Sequence, residues 1–286
     1  MIRNFLFCML LLILTSCGKV PPYDEELGYQ QAKVAMDFQR FKHSIDEQAF
    51  SGVHTGKACK PAVVFIHGAP GDWKAWGRYL GDQELLDKAF MISIDRPGYA
   101  GSGLGTPHTN MRKQSEIIMK GIRKEHKGPF ILVGHSYGGP LQFQMAADYP
   151  DEVAAMIVLA GAVDPKLHYK RFYHRLGDVF FIRPFLPTPL KVTNKEMLAL
   201  KTELLKLQPD IHKIKAATTV IQGEDDWLVP VGNADYAKER LTSVRNIEII
   251  KLKDQGHFLP WEQYDLIKQQ VLKHAQDLPG CGEAEL

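Results

Sequence analysis

The chain has few cysteines, little net charge and only short apolar runs, and each scarcity excludes a class of protein. Four of its 286 residues are cysteine, so the fold cannot depend on a dense disulfide framework. The formal net charge is +2, which leaves no basic field of the kind that nucleic-acid binders use. With 45% hydrophobic and 24% charged residues, the composition is that of a globular protein with a sizeable core. The length fits one large domain with an insertion, or at most two domains.

The N-terminus carries a short apolar run with a processing pattern behind it. Phe5–Leu14 is ten residues long, too short to span a bilayer, and it follows one positive charge at Arg3. The next residues, Leu14–Gly18 (LTSCG), resemble a bacterial lipobox. The resemblance implies that residues 1–16 are a signal peptide and that the sulfur of Cys17 receives lipid. We therefore expect a lipid-anchored protein of the bacterial cell envelope, at the outer membrane or in the periplasm of a Gram-negative host. A plain secretory signal or a short anchor helix is the alternative.

The most informative stretch joins a buried strand to a helix through glycines. Phe130–Val133 is apolar, Gly134–Gly138 reads GHSYG, and Leu141–Tyr149 has helical spacing. A short buried run that stops at glycines and continues as a helix is a strand–turn–helix pattern. Glycines two positions before and after Ser136 allow so sharp a turn, which would expose the serine hydroxyl above the N-terminus of the helix.

This stretch resembles the nucleophile elbow of the α/β-hydrolase superfamily, in which the serine is the nucleophile. The resemblance spans roughly residues 61–277. It implies an α/β fold: a mostly parallel sheet with helices on both faces and a helical cap insertion. Alternating apolar β runs and helices along the chain favour the same architecture. The family orders its residues nucleophile, acid, histidine, and this order directs the search for the partners of Ser136.

The acid is expected after a later strand. Ala217–Ile221 is an apolar β run, and Gln222–Pro230 (QGEDDWLVP) resembles the family's acid turn, Gly-x-x-Asp-x-x-Val-Pro. The match places the acid at Asp226. Glu224 and Asp225 are neighbours that a shift in the alignment would select instead.

The histidine is expected after the last strand. Asn246–Leu252 is that strand, Asp254–Phe258 (DQGHF) follows it, and Glu262–Asp277 is the closing helix. His257 lies where the family carries its general base. A serine needs such a base within hydrogen-bonding reach because its hydroxyl is a weak nucleophile at neutral pH. The predicted triad is therefore Ser136, Asp226 and His257.

An oxyanion site is predicted beside the triad. Pro61–Ile66 is a β run that ends in His67–Gly71 (HGAPG), which resembles the family's oxyanion loop. Attack on an acyl carbon places negative charge on oxygen, and two N–H groups must stabilise it. The resemblance assigns these donors to Ala69 and to Tyr137, the residue after the nucleophile.

Other polar residues near these motifs are interpreted as structural. A histidine at the position of His67 orients the loop, and the same interpretation applies to His135 in the elbow. Asp95 and Arg96 follow another strand, in a turn that many α/β-hydrolases share and that braces neighbouring loops. The histidines lack paired metal-ligand spacing, and a serine triad needs neither metal nor cofactor.

These motifs divide the chain into segments. Residues 17–60 are predicted to be a polar tether, with poorly patterned opening strands near its end. Residues 61–163 and 216–286 form the two parts of the hydrolase core, and residues 164–215 form the cap. The cap is rich in aromatics, which we expect to line a hydrophobic pocket, although they could instead pack against the membrane or fill a small core within the cap: Tyr169, Phe172, Tyr173, Phe180, Phe181 and Phe185.

The substrate is less constrained than the reaction. A carboxylic ester with a hydrophobic part is the first expectation, and an amide cleaved by an aminopeptidase of the proline iminopeptidase type is the second. His67–Gly71 is close to the iminopeptidase loop, but Ala69 replaces a glycine, and GHSYG replaces the usual GGSWG. Carbon–carbon bond hydrolases and cofactor-free haloperoxidases remain open. A non-catalytic surface lipoprotein is a third class, which an intact triad disfavours.

Two cysteines of the mature chain are predicted to pair. In an oxidising compartment, Cys59 and Cys281 are the thiols left after lipidation of Cys17. Cys59 precedes a strand that runs toward the active-site edge, and the closing helix travels back from that edge toward Cys281. Both cysteines are therefore expected at the opposite edge of the sheet.

Overall fold

A single eight-stranded sheet organises the part of the chain that the computed structural model describes, residues 38–168 and 183–280. Its spatial order is β1-β2-β4-β3-β5-β6-β7-β8. The first two strands pair antiparallel, β2 pairs antiparallel with β4, and all other neighbours are parallel. The strands are β1 (Gln39–Ile45), β2 (Gln48–Thr55), β3 (Ala62–Ile66), β4 (Phe90–Asp95), β5 (Phe130–His135), β6 (Val153–Leu159), β7 (Ala217–Gly223) and β8 (Ile247–Leu252).

Helices follow most of the parallel strands and cover both faces of the sheet. The α-helices are α1 (Gly77–Leu80), α2 (Gln83–Lys88), α3 (Met111–Glu125), α4 (Gly138–Asp148), α5 (Thr188–Leu207), α6 (Gly232–Arg240), α7 (Leu259–Glu262) and α8 (Tyr264–Gln276). Short 3₁₀ helices span Trp73–Trp76, Arg183–Phe185 and Gln208–Lys213. This confirms the predicted α/β class. None of the helices within the two described ranges is long and apolar enough to cross a membrane.

The central strands are apolar without interruption because both of their faces are buried. In β3, Val64 packs into the core on the side of α3 and α4, whereas Val63 and Phe65 pack into the core on the side of α8. In β5, Leu132 and Val133 divide in the same way. Successive side chains of a strand point to opposite faces, so a strand covered on both faces has no polar alternation.

The opening strands of the sheet lie in the segment that precedes residue 61. The predicted tether, residues 17–60, includes β1 and β2, which extend the sheet by an antiparallel pair beyond β4. Buried Phe41 and Phe50 anchor this pair in the core. The opening strands expected near the end of the 17–60 segment thus start at Gln39, while residues 1–37 lie outside the described part of the chain.

The predicted cap contributes one long helix that belongs partly to the core. Helix α5 starts at Thr188 and carries Pro189 in its first turn, where the missing N–H of a proline would have no partner within the helix anyway. Its second half packs with Leu200 and Leu204 into the core on the side of α3 and α4. The predicted residues Tyr169, Phe172, Tyr173, Phe180 and Phe181 lie outside the described residues. Phe185, by contrast, is described and is 87% exposed, so it lines neither an enclosed pocket nor a core.

Candidate active site

Ser136 lies at the turn between β5 and α4 with a backbone conformation that side-chain-bearing residues rarely adopt. Its φ is +55°, in the left-handed region, where a residue other than glycine is strained by about 1–3 kcal/mol and needs its surroundings to hold it. Those surroundings are present: the Ser136 N–H donates to the carbonyl of Leu159, and its own carbonyl accepts from the N–H groups of Gly139 and Ala162. The turn thereby holds the serine at the carboxyl edge of the sheet.

The glycines of the elbow are required by space. A Cβ on Gly134 would lie 2.5 Å from the carbonyl oxygen of Gly138, and a Cβ on Gly138 would lie 2.5 Å from that of Ile66. Both distances are shorter than van der Waals contact, and backbone atoms cannot move aside as a flexible side chain can. The pattern Gly-x-Ser-x-Gly is therefore the consequence of a turn packed against β3.

Asp226 and His257 form the hydrogen bond that the sequence predicted. Asp226 Oδ2 lies 2.7 Å from His257 Nδ1, and the side chains are 0% and 7% exposed. The other carboxylate oxygen accepts from the N–H groups of Leu228 and Val229 at 2.9 and 2.8 Å, and Gln222 donates to Oδ2. A carboxylate held in this way fixes the imidazole with Nδ1 as donor and Nε2 as the available base.

His135 links this pair to the serine turn. Its ring lies 4.8 Å from that of His257, centroid to centroid, and its Nε2 is 2.9 Å from the His257 carbonyl oxygen. Since a carbonyl only accepts, Nε2 carries the proton. Burial, with a smaller effect of His257, lowers the pKa of His135 to about 3. His135 is therefore a neutral donor that ties the His257 loop to the residue preceding Ser136.

The two predicted oxyanion donors flank Ser136. Gly68, next to Ala69, approaches so closely that a Cβ on it would lie 3.1 Å from the Ser136 Cβ. Tyr137 follows the serine directly and is the N-cap residue of α4. None of the hydrogen bonds among residues 38–168 and 183–280 uses the N–H of Ala69 or of Tyr137, so both groups are free to bind a substrate oxygen.

A buried polar cluster behind the oxyanion loop was not foreseen from the sequence. The Arg96 guanidinium donates to both oxygens of Glu196, at 2.9 and 3.0 Å, and both side chains are 0% exposed. Tyr99 and Gln114 donate to the same carboxylate, and Gln114 also donates to the Tyr137 hydroxyl. The turn after β4 gave some signal for Arg96. Glu196 gave none, because nothing in a helical pattern distinguishes a buried glutamate from an exposed one.

Two other aspartates near the motifs have surroundings that differ from those of Asp226. Asp225 is exposed beside the buried Asp226. Asp95 accepts from the Ser51 hydroxyl at 2.6 Å and from the N–H groups of Trp73 and Gly101, so it joins strand β2 to the segments at Trp73 and Gly101. Burial raises the pKa of Asp95. Neither residue is hydrogen-bonded to His257 within the described part of the chain.

The cysteines are described only in part. Cys59 is disulfide-bonded, and Gly280 lines the same surface pocket as Cys59. Cys281 and Cys17 lie outside the described residues, so the pairing of Cys59 with Cys281 and the lipidation of Cys17 stay predictions. No group of three or more His, Cys, Asp or Glu side chains suited to a metal ion occurs in residues 38–168 and 183–280.

Comparison with known proteins agrees with this architecture. Residues 61–180 match the family described as alpha/beta hydrolase fold. Proline iminopeptidase PfmaB of Pestalotiopsis fici is 22% identical over 265 residues, which cover 76% of this chain and 92% of that protein. A 2-hydroxy-6-oxo-6-phenylhexa-2,4-dienoate hydrolase of Comamonas testosteroni is 24% identical over 71% of this chain and 84% of its own length.

A solved structure extends the likeness to nearly the whole chain. A putative lipase from Acinetobacter baumannii superposes with a TM-score of 0.64 at 21% identity, covering 92% of this chain and 100% of that one. The chain therefore has the α/β-hydrolase fold. Its relatives divide among enzymes that their names assign to different bonds, so the fold alone does not choose the substrate.

Proposed function

We propose that the protein is a serine hydrolase that cleaves a carboxylic ester through an acyl-enzyme on Ser136. The observation that carries the proposal is the buried hydrogen bond between Asp226 Oδ2 and His257 Nδ1, joined through the contact of His257 with His135 to the left-handed turn at Ser136. A structural serine has no need of that backbone conformation or of a nearby oriented imidazole. The relatives that share the fold are also hydrolases by name.

The proposed reaction has two steps, acylation of Ser136 and hydrolysis of the acyl-enzyme, and the same groups act in both. His257 Nε2 takes the proton of the Ser136 hydroxyl as its oxygen attacks the acyl carbon, and the N–H groups of Ala69 and Tyr137 stabilise the resulting oxyanion. Asp226 keeps the imidazole in the correct tautomer and stabilises its protonated form. The proton then passes to the leaving alcohol, which departs and leaves the acyl group on Ser136. Water, deprotonated by His257, releases the acid.

An amide substrate is the second candidate, because proline iminopeptidase PfmaB matches over 92% of its length. The residues that depart from the iminopeptidase pattern are Ala69 in the oxyanion loop and His135 and Tyr137 in the elbow. All three lie at or next to the proposed reaction centre. The hydrolase of Comamonas testosteroni keeps carbon–carbon cleavage as a third possibility. Relatives at 22–24% identity do not decide among these bonds.

A panel of substrates tests the proposal. Chromogenic esters of short and long acyl chains, aminoacyl amides and a vinylogous diketone would be assayed beside a fluorophosphonate probe, which labels activated serines. We expect ester turnover and labelling of the wild type, with neither in the Ser136→Ala variant. Faster cleavage of aminoacyl amides would favour the peptidase. No labelling of the wild type would refute a serine hydrolase of any specificity.

We also propose that lipid on Cys17 anchors the domain at a membrane of the bacterial envelope. The support is the sequence pattern at the N-terminus, where the ten-residue apolar run Phe5–Leu14 leads into LTSCG around Cys17. A single acyl chain binds membranes only marginally, so stable attachment needs the several chains of a bacterial lipoprotein. The Cys17→Ser variant should leave the membrane fraction or stay unprocessed. An N-terminal peptide without lipid mass, from a protein that still fractionates with membranes, would disprove the anchor.

A further inference from the structure

The peptide group that carries one proposed oxyanion donor is held from its opposite side. The Gly68 carbonyl oxygen lies 2.7 Å from His67 Nδ1 and accepts from Arg96 Nη2 at 3.2 Å. This carbonyl and the N–H of Ala69 belong to the same planar trans peptide, so they point in opposite directions. Whatever fixes the carbonyl therefore fixes the direction of the Ala69 N–H.

The hydrogen bonds of His67 show which of its ring nitrogens donates to the Gly68 carbonyl. The backbone N–H of Arg96 donates to His67 Nε2 at 3.0 Å, so Nε2 is an acceptor and the proton is on Nδ1. Burial, with the nearby Arg96 charge, lowers the pKa of His67 well below its usual value. The imidazole is therefore neutral, and Nδ1 donates to Gly68. Arg96 Nε also donates to the His67 carbonyl at 3.1 Å. Arg96 therefore donates to the His67 ring, the His67 carbonyl and the Gly68 carbonyl.

Arg96 contacts the second proposed donor residue as well. Its guanidinium carbon lies 4.3 Å from the centre of the Tyr137 ring, within the range of a cation–π contact. The Tyr137 hydroxyl accepts from Gln114, whose amide also donates to Glu196. One guanidinium thus touches the residues on both sides of the proposed oxyanion position.

Glu196 determines where that guanidinium lies. A bidentate carboxylate fixes the plane and position of an arginine, and the Tyr99 hydroxyl, at 2.6 Å, holds the carboxylate in turn. Glu196 belongs to α5, in the insertion, whereas all of its partners belong to the core. The oxyanion loop is therefore connected to the insertion helix through two side chains with no exposed surface.

We propose that Glu196 and Arg96 are positioning residues that aim the Ala69 N–H at the substrate oxygen, so that the position of α5 sets the strength of oxyanion stabilisation. This rests on the proposed acyl-transfer function. The effect belongs to the transition state, since a carbonyl oxygen gains its negative charge there. A disturbed pair should therefore lower kcat and leave KM nearly unchanged.

The test compares one substitution at two places on the same helix. Glu196→Gln keeps the shape of the side chain but points an NH₂ group at the Arg96 donors. Glu203→Gln is the control: Glu203 is also buried on α5, and it accepts from the Met111 N–H at 3.0 Å and from Lys206 rather than from Arg96 or the oxyanion loop. Loss of a whole oxyanion donor costs about 10²–10³ in kcat, so misdirecting one should cost about tenfold. Glu203→Gln should change kcat less than twofold.

The rate at which a fluorophosphonate labels Ser136 gives a second readout that needs no known substrate. Labelling of Glu196→Gln should slow about as much as kcat, at equal folded fraction by circular dichroism. Tyr99→Phe, which removes one bond to Glu196 and leaves the ion pair, should slow it less and serves if Glu196→Gln does not fold. Equal kcat and labelling in wild type, Tyr99→Phe and any folded Glu196→Gln would overturn the positioning role and leave the hydrolase proposal intact. A wild type that is not labelled would overturn both.

Discussion

Two carboxylates, Asp226 and Glu196, are completely enclosed, and each holds one nitrogen base or cation in place. Asp226 lies in a turn after β7 and is held largely by two backbone N–H groups. Glu196 lies within a helix and is held by side chains. A carboxylate held by backbone needs a turn of one shape, and that shape leaves a motif in the sequence. A carboxylate held by side chains can occupy any helical position and leaves none.

The largest expected effect is the loss of activity on substitution of Asp226, which should exceed the loss on substitution of Glu196. Asp226→Asn can still accept from the N–H groups of Leu228 and Val229, but its NH₂ group no longer fixes His257 in the productive tautomer. We expect kcat to fall about 10⁴-fold, with the free energy of unfolding within about 1 kcal/mol of the wild type. Alanine at Ser136, Asp226 or His257 should each remove most activity without additivity.

Asp225→Ala is the matched control, because the side chain next to Asp226 is exposed. It should leave kcat within about twofold of the wild type, as most exposed substitutions change little. If Asp225→Ala abolished turnover and Asp226→Asn did not, the acid would be wrongly assigned.

The second effect is on stability, and here the substitution of Glu196 should cost more than the substitution of Asp226. Glu196→Ala leaves the Arg96 charge buried without its partner, which costs about 3–5 kcal/mol. Urea unfolding followed by circular dichroism should show this loss, alongside a nearly unchanged Asp226→Asn. A Glu196→Ala variant as stable as the wild type would mean that water or another group reaches Arg96.

The same contrast explains what the sequence could predict. Ser136, Asp226 and His257 lie in turns where packing allows few residues, such as the glycines beside Ser136, so their positions could be read from local patterns. The mostly parallel sheet with helices on both faces could be predicted from the alternation of strands and helices. Helix α5 could be predicted as helical, but the inward direction of Glu196 depends on Arg96, 100 residues earlier. The opening strands β1 and β2 were expected near the end of the tether, but their bounds could not be predicted because their apolar alternation is poor.

A smaller effect concerns the pH dependence of stability. His135 beside His257 and His67 beside Arg96 are both neutral, and the prediction is made for His135. Its pKa is about 3 when folded and about 6.5 when unfolded. As pH falls from 7 to 5, the unfolded chain takes up a proton that the folded chain excludes, so the free energy of unfolding decreases by about 2 kcal/mol. His135→Gln, which keeps a donor for the His257 carbonyl, should lose that share of the pH dependence. Replacing the exposed His212 in the same way should not, and identical slopes in both variants would contradict the assignment.

The smallest effect is expected on the outside of the insertion, at Phe185, whose 87% exposure contrasts with the enclosed Glu196. Phe185→Ser removes no packed contact, so the free energy of unfolding should stay within about 0.5 kcal/mol of the wild type. Ester chain-length preference should also stay unchanged, because an exposed ring reads no acyl chain. Phe143→Ala, in the core on α4, is the control and should cost about 3–5 kcal/mol. A changed chain-length preference in Phe185→Ser would show that the ring turns onto bound substrate, and would restore the original interpretation of the cap aromatics as a pocket wall.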